Sequence, residues 1–85
     1  MTRRDFEAWL DHHIDQPVLV EKRVLSGGEI TSKISTTGVL RKDRGEYLAG
    51  DSPIDFTDFA AADFAAEGVI VELDEGVELY IALST

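Results

Sequence analysis

The sequence predicts an α+β domain: an N-terminal helix followed by a small, strongly bent five-stranded antiparallel sheet or barrel, with a short helical segment before the last hairpin. Three observations predict it. Val69 to Leu83 alternates apolar and polar residues on both sides of Asp74-Glu75-Gly76, the period-two mark of half-buried strands. Thr2 to Ile14 places Phe6, Trp9, Leu10, His13 and Ile14 at i, i+3, i+4, i+7 and i+8, which is one stripe of a helix. Three loops, Ser26-Gly27-Gly28, Asp43-Arg44-Gly45 and Asp74-Glu75-Gly76, each end in glycine, as three-residue hairpin loops do when their last residue takes positive φ. The 85 residues make a single domain, 1–85. Its core is thin, because a chain of this size buries roughly 60–65% of its unfolded surface.

In chain order, Thr2 can N-cap the helix, with Asp5 in the reciprocal position of a capping box. Asp5 and Glu7 lie near the positive end of the helix dipole, and His12 and His13 near the negative end. Pro17 ends the helical run. Val18 to Leu25 is the first strand. A Ser26-Gly27-Gly28 loop pairs Val24 with Ile30, Val20 with Ile34 and Glu21 with Lys33, whereas a two-residue Gly27-Gly28 loop would oppose Lys22 and Lys33. Glu29 to Lys42 is one long strand that bends at Thr37-Gly38. Asp43-Arg44-Gly45 then pairs Leu40 with Leu48 and Arg41 with Tyr47, which puts Tyr47 on the face away from Leu40 and Leu48. Asp55 or Asp58 caps a short helix that runs to about Glu67 and stops at Gly68; a competing reading makes Ile54 to Phe56 a short strand. The last hairpin pairs Val69 with Ile81, Val71 with Leu79 and Leu73 with Val77.

Composition narrows the function. Among 85 residues there is no cysteine, so neither disulfides nor thiolate metal sites contribute, and a reducing compartment, the cytoplasm, is expected. No apolar leader and no 18-residue apolar stretch is present, which argues against secretion and membrane spanning. The net charge is −9, unevenly spread: residues 1–45 hold all eight Lys and Arg against seven acids, and residues 46–85 hold ten acids and no base. Such a field repels nucleic acid and draws basic partners, although it also serves solubility.

No nucleophile motif, phosphate-cradling loop or calcium loop occurs. His12 and His13 are adjacent, so on a helix they point about 100° apart and form no metal pair. The sequence therefore predicts no catalytic residue, metal or cofactor, and a non-enzymatic protein.

The element order resembles the Sm-like and SH3-like small barrels. The likeness lies in the leading helix Thr2–Ile14, the Val18–Val24 strand, Gly28 before a long bent strand, and Gly38-Val39-Leu40 at the bend. It implies a homo-oligomeric barrel subunit with a structural or RNA-related role. The family's RNA-contacting positions correspond here to Tyr47-Leu48 and to an Asp74-Glu75-Gly76 turn without Lys or Arg, so the resemblance carries over no functional residue.

The candidate site is on the last hairpin. Its register sets Glu72 opposite Glu78, like charges face to face, with Asp74 and Glu75 at the adjoining turn. Ile70 and Tyr80 face each other beside them, outside the core, where large apolar groups mark either cover or a binding patch. Ile70, Glu72, Asp74, Glu75, Glu78 and Tyr80 thus form a candidate docking surface for a basic protein, and one form of such a module is a nucleic-acid mimic or inhibitor.

Overall fold

A computed structural model describes residues 1–74 and 76–84. Among them are one helix, α1 (Arg3–His12), and seven strands: β1 (Pro17–Ser26), β2 (Glu29–Asp43), β3 (Glu46–Ala49), β4 (Ser52–Pro53), β5 (Ala61–Ala65), β6 (Gly68–Glu72) and β7 (Val77–Leu83). The strands form an antiparallel sheet in the order β4-β3-β2-β1-β7-β6-β5. The expectation of a leading helix and an antiparallel sheet holds. The count of five strands does not, and β4 and β5 stand at opposite ends of the order instead of closing a barrel.

Helix α1 starts where its capping box dictates. The Asp5 amide donates to Thr2 Oγ1 and the Thr2 amide donates to Asp5 Oδ2, both at 3.1 Å. These bonds to Thr2, backbone first, hold the Asp5 carboxyl below its ordinary pKa. The helix ends at His12, two residues short of Ile14. Asp15 takes φ 73, and its amide donates to the Leu40 carbonyl at 2.8 Å, which turns the chain into β1. Phe6 and Leu10 are fully buried against Val18, Leu40, Val69, Val71 and Ile81, with Trp9 and Ile14 half-buried around them.

The long strand β2 pairs with β1 as far as Val39 and with β3 from Leu40 onward. The exchange of partners falls between Val39 and Leu40, next to Gly38, where a Cβ would sit 2.5 Å from the Gly50 amide nitrogen. The bend expected there is thus a change of neighbour that only glycine admits.

Both N-terminal hairpins differ from expectation in register. Each closes with two residues at positive φ, Gly27-Gly28 (59° and 83°) and Arg44-Gly45 (53° and 81°), the backbone of tight two-residue hairpin turns. In the first hairpin Leu25 faces Ile30, Thr31 is left over as a bulge, and Val24 faces Ser32. Beyond the bulge Lys22 faces Ile34 and Val20 faces Thr36; Lys33 faces Arg23 in place of Lys22, and Glu21 pairs with both cations. In the second hairpin the one-residue change turns Tyr47 inward: it is buried, faces Lys42 in place of Arg41, and its hydroxyl donates to Asp11 Oδ1 at 2.7 Å.

The short helix expected before the last hairpin is absent. Asp55 accepts from the Thr57 amide and hydroxyl at 3.0 and 2.6 Å, capping a turn and not a helix. Ile54 and Phe56 are buried, but the strand adjacent to them is Ser52–Pro53. Ala61–Ala65 is a strand, β5, because it completes the free edge of β6. Alanine favours helix only weakly in a folded context, and an unpaired edge overrides that preference.

Candidate interaction surface

The last hairpin has the register read from the sequence: Val69 faces Ile81, Ile70 faces Tyr80, Val71 faces Leu79 and Glu72 faces Glu78. Val69, Val71 and Ile81 are fully buried and Leu79 nearly so. The alternate residues, Ile70, Glu72, Glu78 and Tyr80, therefore lie on the face away from α1 and the core. Ile70, Glu78 and Tyr80 are half-buried and Glu72 is exposed. Asp74 is exposed beside the turn, and Glu75 lies outside the described residues.

The pairing of β7 with β1 extends this face across the sheet. Two rows of side chains run over neighbouring strands. One is Ser35, Glu21, Tyr80, Ile70, Asp63; the other is Lys33, Arg23, Glu78, Glu72, Ala61. Arg23 is their hub. Its Nε and Nη2 donate to Glu21 Oε2 at 3.0 and 2.6 Å, its Nη1 donates to Glu78 Oε1 at 3.0 Å, and its guanidinium lies 5.1 Å from the centre of the Tyr80 ring. Lys33 Nζ is 3.3 Å from Glu21 Oε1. The Arg23 guanidinium, ahead of opposing desolvation and with help from Lys33, holds the Glu21 carboxyl below the ordinary range. Glu21, chiefly, raises the Arg23 pKa in return.

This geometry revises the picture of a purely acidic patch. The Glu72–Glu78 opposition is real, but Arg23 pairs with Glu78, so among the described residues of this face Glu72, Asp63 and Asp74 are the carboxylates left facing water. The surface is bipolar. Lys33 and Arg23, with Glu21 between them, occupy one side, the exposed acids Glu72 and Asp63 the other, and Ile70 and Tyr80 the middle. Sequence reasoning missed Arg23. The available signal was parity: Glu21 and Arg23 share the strand face opposite Val18 and Val20, and Glu72 and Glu78 required a nearby cation.

A second polar cluster ties α1 to β3. Lys42 Nζ reaches Asp11 Oδ1 at 3.3 Å and lies 4.9 Å from the Tyr47 ring centre. Burial, foremost, raises the Tyr47 pKa, and the Tyr47 hydroxyl lowers that of Asp11. Both partners sit at the helix–sheet seam, and Tyr47 also lines a cleft of about 370 Å³ between Arg3, Glu46, Pro53 and Phe56. The half-buried His13 ring hydrogen-bonds the Trp9 carbonyl at 2.7 Å, a contact that closes the C-terminal end of the helix. Among the described residues no group of three or more His, Asp or Glu is placed to hold a metal ion, and no helix is long and apolar enough to cross a membrane. A shallow cleft of about 380 Å³ lies between Trp9, Phe64, Ala65 and Leu83. Compared with known protein families, curated proteins and solved structures, the chain matches none.

Proposed function

We propose that this protein is a small acidic, non-enzymatic interaction module that docks a basic protein surface through the outer face of β6 and β7. The observation that carries the reading is the position of Ile70 and Tyr80. They lie side by side on the face that α1 leaves uncovered, with Glu72 and Asp63 exposed around them. An aromatic and an aliphatic residue supply the apolar anchor, and the surrounding acids select a cationic partner and speed its encounter. Arg23 holds the Tyr80 ring and the Glu78 carboxylate in place before binding, which limits the side-chain ordering that docking requires. A partner whose natural ligand is nucleic acid fits the same chemistry, with the module occupying its basic groove as a mimic or inhibitor.

The test is a titration with an Arg/Lys-rich peptide that carries a leucine or phenylalanine, followed by backbone NMR shifts. Shifts centred on Ile70, Glu72 and Tyr80 that fade with added salt, and that disappear in a Glu72→Lys/Asp63→Lys double variant, support the reading. Shifts elsewhere, or none, contradict it. Glu72 and Asp63 are the appropriate reversals because Glu78→Lys would place a second cation against Arg23.

A further inference from the structure

The outer part of the β1–β2 hairpin forms an arm in which β1 stays paired with β7 as far as Val24, while the other side of β2 is, among the described residues, a free sheet edge. From Glu29 to Val39 β2 pairs, among the described residues, only with β1; β3 joins it at Leu40. We infer that this edge is a homodimer interface, in which β2 pairs antiparallel with β2 of a second copy about a two-fold axis at Ile34.

The direction of the backbone groups follows from one hydrogen bond. The Val39 carbonyl accepts from the Gly50 amide at 2.9 Å, on the side away from β1. Backbone polar groups alternate sides along an antiparallel strand, so those of Thr37, Ser35 and Lys33 also point outward, unpaired. The Thr31 bulge, whose hydroxyl donates to the Val24 carbonyl at 3.1 Å, ends the regular edge. Five residues, Ser32-Lys33-Ile34-Ser35-Thr36, are therefore free for a regular pairing.

The side chains select both the partner and the register. This stretch is close to palindromic about Ile34. With Ile34 on the axis, Ile34 faces its symmetry mate, Lys33 faces Ser35 and Ser32 faces Thr36 of the other copy. Apolar and hydroxyl pairs of this kind stabilise neighbouring strands, and no like charges stand directly opposite. Shifting the axis to Lys33 would oppose two lysines. Shifting it to Ser35 would set Ile34 against a threonine. The lysines of the two copies are diagonal neighbours in the chosen register, but each is tethered to its own Glu21 at 3.3 Å. That tether also draws Lys33 off the edge, where lysine ordinarily discourages pairing. Ile34 is 64% exposed in the single chain, and self-pairing covers it.

Electrostatics favour this location as well. The arm carries Lys22, Arg23 and Lys33 against Glu21 and Glu29, whereas residues 46–85 hold ten acids and no base. Two copies of a chain of net charge −9 meet with less repulsion along the arm than across the acidic β5–β7 side. The remaining long-range repulsion is screened by salt, so association strengthens as salt is added. A basic partner docking on β6 and β7 weakens under the same change, which separates the two proposals. A five-residue strand pair is also small beside a standard interface of about 1,600 Å², so the dimer forms in a concentration-dependent manner.

The test uses the full chain in sedimentation equilibrium over a range of concentrations at low and high salt. The wild type is expected to approach twice the chain mass at high concentration, more readily in high salt. Ser35→Pro removes an outward amide without touching the β1 ladder, and Ile34→Lys places two cations on the axis; each is expected to weaken association by about tenfold or more. Because the chain has no cysteine, Ile34→Cys gives a single thiol. On oxidation it is expected to form a covalent dimer, since directly opposed residues at a non-hydrogen-bonded site lie about 4.5 Å apart at Cα. An Asp51→Cys control should not. Monomers throughout, or dimers unaffected by both edge variants with no preferential Ile34→Cys cross-link, overturn the inference.

Discussion

The β6–β7 hairpin buries one face along its length: Val69, Val71 and Ile81 are fully enclosed and Leu79 is 3% exposed. In the outer part of the β1–β2 hairpin Val24, Ile30 and Ile34 are 37%, 54% and 64% exposed. Both hairpins are antiparallel, turn at glycine and are rich in β-branched residues, yet in the second β7 holds only β1, and, among the described residues, the outer part of β2 has no buried neighbour that punishes a slip. Moving β7 by one residue would drive Glu78 and Tyr80 into the core and Ile81 into water. Moving the outer β1–β2 pairing exchanges one half-exposed contact for another, and the bulge at Thr31 settles its register locally. The core-facing hairpin is consequently the stability element. The arm is free to serve recognition, because its edge and its apolar side chains are not needed inside.

Substitutions that treat the two hairpins alike should separate them. The largest effect is expected at Gly68 in β6, where a Cβ would run into the Ile81 carbonyl oxygen. Gly68→Ala must part β6 from β7 and should destabilise the fold by about 4 kcal/mol or more, read from urea unfolding. Gly28, in the arm's turn, has nothing within 4 Å of a Cβ, so Gly28→Ala carries only the strain of its positive φ, about 1 kcal/mol. Ile81→Ala, which opens a cavity in the enclosed face, should destabilise by about 3 kcal/mol.

Arg23 joins the two regions and should give an intermediate result. Arg23→Met keeps the stem packed on Tyr80 but removes the bonds to Glu21 and Glu78. A loss of about 1–2 kcal/mol is expected, together with a change in the Tyr80 ring resonances. The Glu21 carboxyl provides a pH test of the same network. Its folded pKa is depressed by Arg23, so the unfolded chain takes up this proton first as pH falls. The associated stability is complete above the unfolded value, about 4.3, and is lost as pH drops through the folded one. The stability advantage of the wild type over Glu21→Gln should therefore shrink below about pH 4. The smallest effect is expected from Ile34→Ala, within about 0.5 kcal/mol for the monomer.

The legible parts of the sequence were those where burial dictates pattern. The capping box at Thr2 and Asp5, the stripe Phe6-Trp9-Leu10, and the β6–β7 register with Ile70 and Tyr80 outward all follow from periodicity. The turns of the first two hairpins do not, because a loop ending in glycine suits two-residue and three-residue closures alike. Arg44 at φ 53 gives no composition signal, and that single residue decides whether Tyr47 points inward. The segment before Gly68 reads as helix by its Asp55 or Asp58 cap and its glycine stop, and Ala61–Ala65 becomes strand because β6 has an edge to fill, a condition set elsewhere in the chain. Arg23 was hidden for the same reason: its meeting with Glu78 depends on β1 lying beside β7, a neighbour relation that local sequence does not encode.

Residue-resolved hydrogen exchange on dilute wild-type protein tests the contrast most directly. The amides of Leu79, Tyr80 and Ile81, on a strand flanked by β1 and β6, should exchange only through global unfolding. Those of Lys33, Ser35 and Thr37 should exchange freely, and the paired amides of the outer arm should open locally at intermediate rates. An arm that exchanges in step with β7, or a β7 that opens before the arm, would contradict the division between a core-pinned hairpin and a hairpin free for contact.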